Sequence, residues 1–587
     1  MVFIAINLLK LIIMNIQKLV VATLFLAAMS CGSKSKTEKL DKETKEVAYA
    51  EKKEEIYLRR EKVETFSEEE STKDIGEASV VELHTGFSEG NSLYYSLDSK
   101  AENACINDQI HQINNEEYSE LVENYFTNPR EKALSTFSID VDNASYTNVR
   151  RIIEDGQLPN PNAVRVEEFV NYFDYDYAVP KDKSKPFNIE TEIAECPWNK
   201  DHKLLHIGLQ GYTVETENLP SSNLVFLVDV SGSMNDPSKI GLLKKSFKMM
   251  VDKLDFNDRV AIVTYAGNTG VVLNSTRCLY KSKIYNALDN LFVGGGTNGE
   301  AGIEMAYKIA EQNYISNGNN RIILATDGDF NVGQSSDDDM KKLMEEKREK
   351  GIYITVLGYG MGNYKDGKME TIADNGNGNY FYIDSKLEAN NVLVHNLAGT
   401  LLTIAKDVKI QVEFNPNKVK EYRLIGYENR VMDAQDFDND KKDAGELGAG
   451  HNVTAIYEII PGKSKQSELK YQKSELNYNG EEMCTIKFRY KLPKESKSKL
   501  FSIPVIDRNQ SIDIASSNFQ FASAVVEFGL ILRKSEYKGT ANYDNIIKRA
   551  KKNIGLDDLG KRMEFVGLVR KAQSFDETTK EIVKLGL

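Results

Sequence analysis

The stretch Asn223-Leu-Val-Phe-Leu-Val-Asp-Val-Ser-Gly-Ser-Met234 joins an apolar run to a short polar motif. The run up to Val228 has the length and composition of a buried strand. Asp229, Ser231 and Ser233 follow at once, so a D-x-S-x-S motif stands where this strand ends. Ligands bind at this edge in open α/β sheets, so the stretch predicts a strand that carries oxygen-bearing side chains to a ligand site.

The surrounding sequence alternates strand-length apolar runs with helical segments. The runs are Asn223 to Val230, Arg259 to Tyr265, Arg321 to Thr326 and Tyr353 to Leu357. After the first run, apolar residues recur at the three- and four-residue spacing of one helix face, at Ile240, Leu243, Phe247, Met250 and Leu254. This alternation predicts an α/β fold with a mostly parallel sheet and helices on both faces.

Two later segments are predicted to reach the same edge of the sheet. Thr297 stands in a glycine-rich loop before a predicted helix, and Asp327 directly follows a predicted strand. Because parallel strands end at one edge, we expect both side chains to converge with the D-x-S-x-S motif.

The five positions Asp229, Ser231, Ser233, Thr297 and Asp327 resemble the metal-ion-dependent adhesion site (MIDAS) of von Willebrand factor type A (VWA) domains. The resemblance implies a Rossmann-like VWA domain over residues 220–403. It also implies that the three hydroxyls bind the metal directly, while the two carboxylates act mainly through waters. Hydroxyl and carboxylate oxygens suit Mg²⁺ or Mn²⁺, whereas thiolates and imidazoles suit softer ions.

A metal held mostly by neutral hydroxyls keeps much of its positive charge, so it attracts an anionic oxygen. The resemblance implies that a protein partner supplies this oxygen from an acidic side chain. We therefore expect non-catalytic adhesion or complex assembly. A structural envelope scaffold, in which the metal only stabilises the fold, is the alternative.

Enzyme motifs are incomplete in this sequence. The six histidines form no triad or HExxH arrangement, and the loop Gly294-Gly-Gly-Thr-Asn-Gly299 lacks the lysine of a phosphate-binding P-loop. Asp140 and Asp142 match the paired aspartates of a phosphatase motif, but Ala144 stands where that motif requires Thr or Val. We therefore expect no enzyme activity.

An acidic segment near residue 438 offers a second metal hypothesis. Asp436, Asp438 and Asp440 match the start of a calcium loop, but Lys441 replaces the glycine and Leu447 replaces the final glutamate. These departures exclude an EF-hand. A looser Ca²⁺ site and an exposed acidic loop are the two interpretations, and the exposed loop is favoured.

The N-terminal segment resembles a bacterial lipoprotein signal. The apolar stretch from Leu19 to Met29 is too short to span a bilayer, and the small residues Ala28 and Ser30 precede Cys31. The resemblance implies a lipoprotein signal over residues 1–31, in which Cys31 receives the lipid and becomes the mature N terminus. A plain cleaved signal and an uncleaved anchor are alternatives.

The expected location is the bacterial cell envelope, on the outer membrane facing the periplasm, with surface exposure as an alternative. The lipid anchor would be the only membrane contact. Charged and small polar residues dominate positions 32–74, and positions 75–115 show no clear pattern, so we predict a disordered tether over residues 32–115. The 88 acidic side chains outnumber the 75 basic ones, which argues against a nucleic-acid partner.

Alternating apolar residues predict strands on both sides of the VWA segment. Two lie within the flanking region 116–218, which also contains two predicted helices, and three lie within residues 405–587, which end in helices. We predict that strands from both regions form one β-sandwich, from which the VWA domain projects as an insertion. Segments such as Ser135 to Asp142 and Gly448 to Ala455 resemble the flanks of bacterial VWA lipoproteins, which indicates architecture rather than a biological role.

The remaining cysteines have no metal-ligand spacing. Disulfides and buried thiols are both compatible with the positions of Cys105, Cys196, Cys278 and Cys484.

Overall fold

Three β-sheets organise the part of the chain that the computed structural model describes. The described residues are 116–585 without 140, 183, 329–336, 361–364 and 465–479. The predicted leader, the lipidation site Cys31, the tether and Cys105 lie outside them.

The strands of the described residues are numbered in chain order. They are β1 Leu134–Ser138, β2 Phe187–Cys196, β3 Asn199–Gly211, β4 Ser222–Asp229, β5 Arg259–Tyr265, β6 Gly270–Arg277, β7 Asn319–Thr326, β8 Ile352–Tyr359, β9 Tyr380–Ile383, β10 Thr403–Phe414, β11 Val419–Ile425, β12 Val431–Met432, β13 Gly445–Gly448, β14 Asn452–Pro461, β15 Glu482–Lys491 and β16 Lys499–Ile506.

The α-helices are numbered in the same way. They are α1 Ala144–Glu154, α2 Val166–Asn171, α3 Leu242–Lys253, α4 Lys281–Asp289, α5 Gly299–Gln312, α6 Asp337–Glu349, α7 Asp366–Asn375, α8 Lys386–Asn390, α9 Leu397–Leu401, α10 Ser517–Leu532, α11 Tyr543–Lys552 and α12 Lys561–Leu585.

The central sheet has the order β6-β5-β4-β7-β8-β9, and every neighbouring pair except β5 and β6 is parallel. Strand β4 is buried along its whole length because both of its faces are covered. Leu224 and Phe226 enter one apolar cluster with helix α3, while Val225 and Leu227 enter another with helix α5. The predicted Rossmann-like α/β domain is confirmed.

Two antiparallel sheets form the predicted sandwich. One has the order β12-β1-β10-β15-β16, with β13 paired to β10, and the other has the order β11-β14-β3-β2. Strands from before the VWA segment pair with strands from after it, as Phe137 with Ile410 and Leu205 with Tyr457. Their inward side chains share one apolar core. The α/β domain is therefore an insertion between the halves of a sandwich, as predicted.

Helices from both ends of the described chain share another core. Helices α1 and α2 pack there with α10, α11 and α12 through a cluster rich in aromatic side chains. Gly555 and Gly560 lie between α11 and α12 at positive φ and separate the two helices.

The predicted order of the first flanking region, helices and then strands, is incomplete. Strand β1 precedes the helices, and its burial along the sequence does not alternate. Its pairing with β10 joins residues far apart in the chain, so no local pattern could have indicated it.

The described cysteines Cys196, Cys278 and Cys484 are buried and form no disulfide, and burial raises the pKa of each thiol. No helix within the described ranges is long and apolar enough to cross a membrane.

Candidate metal centre

Two carboxylates meet at the carboxyl edge of the central sheet. Asp229 is the last residue of β4 and lies in register with Tyr265, the last residue of β5. Val228 pairs with Ala325 of β7, so Asp327 emerges beside Asp229 just beyond the end of β7. The predicted convergence of these two loops is confirmed by the strand register.

Backbone hydrogen bonds bring the loop of Thr297 to the same edge. The Gly294 N–H donates to the carbonyl of Val230 at 2.8 Å, and the Gly232 N–H donates to the carbonyl of Gly295 at 3.2 Å. Gly295 has a φ of +95°, and a Cβ there would lie 3.2 Å from the Gly267 nitrogen. The glycine run therefore lets two backbones approach closely, and Thr297 follows directly.

Hydrogen bonds join the two serines of the motif to each other and to Asp229, and the three hydroxyl-bearing residues differ in exposure. The Ser231 N–H donates to Oδ1 of Asp229 at 2.9 Å, and the Ser231 and Ser233 Oγ atoms are 3.0 Å apart. Ser231 is buried, Ser233 is exposed and Thr297 is half-buried. The structure thus brings together the three loops that carry the five residues singled out from the sequence, with Ser233 and Thr297 more exposed than the two carboxylates.

Asp229 is fully buried, and its carboxylate accepts two hydroxyl hydrogen bonds. Tyr265 Oη donates to Oδ2 at 3.2 Å, and Thr326 Oγ1 donates to the same oxygen at 3.0 Å. Burial raises the pKa of Asp229 to about 6, and the negative charge of Asp327 adds to this effect although the hydrogen bonds oppose it. A nearby cation would stabilise this carboxylate.

A lysine that the sequence analysis did not single out lies against the second carboxylate. Lys239 Nζ is 3.0 Å from Oδ2 of Asp327, and the Lys239 and Asp327 side chains are 11% and 0% exposed. Lys239 stands in a π-helical turn, Pro237–Gly241, between the D-x-S-x-S motif and α3. Its reach depends on the packing of distant segments, so no sequence signal could have placed it here.

Tyr265 and Thr326 were also missed as partners of Asp229. Thr326 had an available signal, because it directly precedes Asp327 at the end of β7. Tyr265 had a weaker one, namely its position at the end of the predicted strand Arg259 to Tyr265. Both residues hold the carboxylate in place through their hydroxyls.

The residues at this edge fit a hard divalent cation. Their donors are all oxygens, and two of the groups are buried carboxylates. Within the described ranges, no cluster of three or more His, Cys, Asp or Glu side chains could hold a metal.

The structure gives the calcium alternative no support. Arg489 pairs with Asp438 at 2.9 Å and with Asp440 at 3.2 Å, and Lys442 lies 3.7 Å from Asp436. The three carboxylates thus face cations on their neighbours. The favoured interpretation, an exposed acidic loop, agrees with the 79% exposure of the Asp438 side chain.

The carboxylate of Asp142, a candidate in the phosphatase motif, makes contacts that hold two parts of the fold together. Its Oδ1 accepts a hydrogen bond from the Tyr380 N–H at 2.8 Å, and its Oδ2 lies 3.4 Å from Arg430. Asp142 thus fastens the first flanking region to β9, while Asp140 lies outside the described residues.

Three family descriptions match successive parts of the chain. "von Willebrand factor" matches residues 112–206, "von Willebrand factor type A domain" matches residues 223–396, and "Uncharacterized protein YfbK, C-terminal" matches residues 399–575. The middle match spans the central sheet and all five residues of the candidate site.

Two relatives and one solved structure are similar to the chain. "Uncharacterized protein YfbK" of Escherichia coli (strain K12) is 40% identical over 474 residues, covering 79% of this chain and 82% of that protein. "Uncharacterized protein sll0103" of Synechocystis sp. is 25% identical over 170 residues, covering 28% and 39%.

The solved structure, "von Willebrand factor type A from Catenulispora acidiphila", has a TM-score of 0.37 at 16% identity, covering 64% of this chain and 89% of that one. The identity to YfbK extends over most of both proteins and includes the regions on both sides of the α/β domain. The chain, which carries a VWA domain between two flanking regions, therefore belongs to the YfbK family.

Proposed function

We propose that this protein is a cell-envelope lipoprotein whose VWA domain binds a protein partner through a divalent metal. The observation that carries the proposal is a pair of buried carboxylates, Asp229 and Asp327, on loops that meet the hydroxyl-bearing loops at the carboxyl edge of the sheet. Buried charges need compensation, and a divalent cation with oxygen ligands supplies it.

Ser231, Ser233 and Thr297 would hold the Mg²⁺ or Mn²⁺ ion directly, and Asp229 and Asp327 would hold it mainly through water. The bound ion supplies positive charge that attracts an acidic side chain of the partner. Asp229 accepts the Ser231 N–H and so fixes the loop that carries both serines. The short polar loops are held on rigid strands, which favours a fixed binding geometry.

The oxygen atoms around Ser231 support metal binding. Its Oγ lies 3.0 Å from the Ser233 hydroxyl, and its side chain and backbone N–H both hydrogen-bond the Asp229 carboxylate. The acidic balance of the chain supports a protein partner over nucleic acid. Membrane attachment would come from lipid on Cys31.

Calorimetric titration of Mg²⁺ and Mn²⁺ into the metal-stripped full chain tests the metal site. We expect saturable binding of one ion per chain, lost in Asp229→Ala and retained in Asp289→Ala. Asp289 is the matched control because it is an exposed aspartate of the same domain, with its side chain 56% exposed. A folded native chain that binds neither ion would contradict the proposal.

A second experiment separates partner binding from a purely structural role of the metal. Thr297→Ala should abolish metal-dependent capture of the partner from envelope extracts while leaving the melting temperature of the metal-free chain unchanged. A smaller rise of the melting temperature on adding the metal, with partner capture intact, would instead favour the scaffold alternative. Mass spectrometry of the native N terminus, compared with Cys31→Ala, tests the lipid anchor.

A further inference from the structure

The side chain of Lys239 fills a slot at the carboxyl edge of the central sheet, where the candidate metal site lies (the metal edge). It extends from the turn Pro237–Gly241 and ends with Nζ 3.0 Å from Oδ2 of Asp327. Only 11% of this side chain is exposed, so its charge is largely removed from water. A buried ammonium is costly unless a carboxylate compensates it, which indicates a specific role for this pair.

Gly360, immediately after β8, forms one wall of the slot. A Cβ on Gly360 would lie 2.3 Å from Cε and 2.4 Å from Cγ of Lys239, so any other residue would collide with the lysine stem. Gly360 also has a φ of +74°, and its carbonyl accepts a hydrogen bond from Tyr382 Oη at 2.6 Å. The position of Lys239 is therefore built into the packing of the domain.

We propose that Lys239 is a built-in cation that competes with the divalent metal for Asp327 and leaves the metal-loaded site with charge for an anionic partner. This inference rests on the proposed function, because it concerns the same metal site. Lys239 is a positioning residue here: it acts on the metal through the carboxylate that it contacts.

A count over the named groups shows the effect of one lysine. Asp229, Asp327 and Lys239 carry two negative charges and one positive charge, so their sum is −1. A divalent ion changes that sum to +1, whereas the same ion beside a neutral residue 239 gives zero. Lys239 therefore weakens the attraction for the metal and strengthens the attraction of the loaded site for a carboxylate.

The same count gives Lys239 a role when no metal is bound. Two adjacent buried carboxylates repel each other, and the ammonium offsets this repulsion. The metal-free chain would then keep a formed site, ready for the ion. Removing the charge should therefore change metal affinity and metal-free stability in opposite directions, which a general disturbance of folding would not do.

The test is a calorimetric titration of Mn²⁺ into the full chain and its Lys239→Met variant, with melting curves in EDTA. We expect Lys239→Met to bind Mn²⁺ roughly tenfold more tightly or better, and to melt at a lower temperature in EDTA. Lys248→Met is the matched control, since Lys248 is a more exposed lysine of the same domain that pairs with Asp289. It should change neither quantity. Lys239→Gln makes the same charge change if the Met variant does not fold.

A folded Lys239→Met that binds Mn²⁺ no more tightly than the native chain overturns the inference but leaves the proposed metal site intact. Binding by the variant but not by the native chain supports the competition and overturns the proposed function. Binding by neither chain overturns both. An unchanged melting temperature in EDTA overturns the stabilising role.

Discussion

Arg150 and Lys239 are both buried cations that face carboxylates, but they lie in different settings. Arg150, on α1, pairs with Asp384 at 2.7 Å, with Glu388 at 2.9 Å and with Glu564 at 2.7 Å. Lys239, at the edge of the central sheet, reaches one carboxylate within the described part of the chain, at 3.0 Å. The ion pairs of Arg150 join several helices and loops, whereas Lys239 compensates the charge of one carboxylate, that of Asp327.

The Arg150 contacts connect all three matched regions of the protein. Arg150 belongs to the first flanking region, Asp384 and Glu388 belong to the VWA domain, and Glu564 lies on α12 of the C-terminal region. The planar guanidinium can hold several acceptors at fixed angles, so it fixes the orientation of the inserted domain. The Lys239 ammonium is a point charge that contacts one carboxylate, and under our proposal a divalent ion would compensate the same carboxylate.

Removing the Arg150 guanidinium should have the largest effect on stability. Arg150→Ala leaves Asp384 and Glu388, with side chains 9% and 1% exposed, buried without this cation. We expect it to lower the free energy of unfolding by about 3–5 kcal/mol, measured by urea denaturation. Arg150→Lys should recover only part of this loss, because lysine lacks the fork of donors. A loss below about 1 kcal/mol would show that the ion pairs of Arg150 do not stabilise the fold.

The metal edge should respond to pH in the opposite sense to an ordinary paired aspartate. The pKa of Asp229 is raised from 3.8 to about 6, so the folded chain binds this proton more tightly than the unfolded chain. The carboxylate therefore costs stability above pH 6, and this cost disappears as the pH falls towards 4.

Unfolding in EDTA at pH 7.5 and at pH 4 measures this cost. The native chain should gain about 2–3 kcal/mol relative to Asp229→Asn as the pH is lowered between these values. A constant difference between the two chains would mean that Asp229 is not destabilised by burial, and the distinction between the two regions would weaken.

Two glycines at positive φ separate backbone strain from the effect on the metal edge. Gly156→Ala should lower the free energy of unfolding by about 1–2 kcal/mol, because this glycine occupies the left-handed region. Gly360→Ala should lower it further, because this glycine also has a positive φ and its Cβ would overlap the stem of Lys239. A Cβ at Gly156 meets no atom within 4 Å, whereas one at Gly360 displaces Lys239. Only Gly360→Ala should therefore alter Mn²⁺ affinity in a calorimetric titration. Equal metal affinities would remove the link between β8 and the site.

An exposed ion pair should have the smallest effect. Lys248 and Asp289 form a pair with side chains 34% and 56% exposed. Because water screens such charges, Lys248→Ala should change the free energy of unfolding by less than about 1 kcal/mol in urea denaturation. A larger loss would mean that exposure does not separate the structural ion pairs of this protein from the others.

The elements that the sequence predicted are those with strong local patterns. The apolar run before Asp229 corresponds to β4, and the helix predicted from Ile240 to Leu254 corresponds largely to α3. Strands β6 and β11 were not predicted. Exposed or half-buried residues occupy all of β6, so its composition carries little information about pairing. Edge strands are defined by the neighbour that they meet.

The residues of the candidate site also divide into those that the sequence could name and those that it could not. Asp229, Ser231, Ser233, Thr297 and Asp327 could be named from the sequence because their types and their positions after strands follow a motif. Their roles as metal ligands stay a prediction. Lys239 and Gly360 could not be named, since one is a lysine near the start of a helix and the other is a glycine after a strand, and neither pattern indicates a shared site.

The sequence by itself determined the α/β domain, its five oxygen-bearing residues and the presence of strands on both sides. These features depend on apolar periodicity and on short motifs, which are local properties of the chain. Only the tertiary structure decided that Lys239 faces Asp327 and that Arg150 joins three regions. Such contacts join residues far apart in the chain, and they exist only after the sheets and helices have packed.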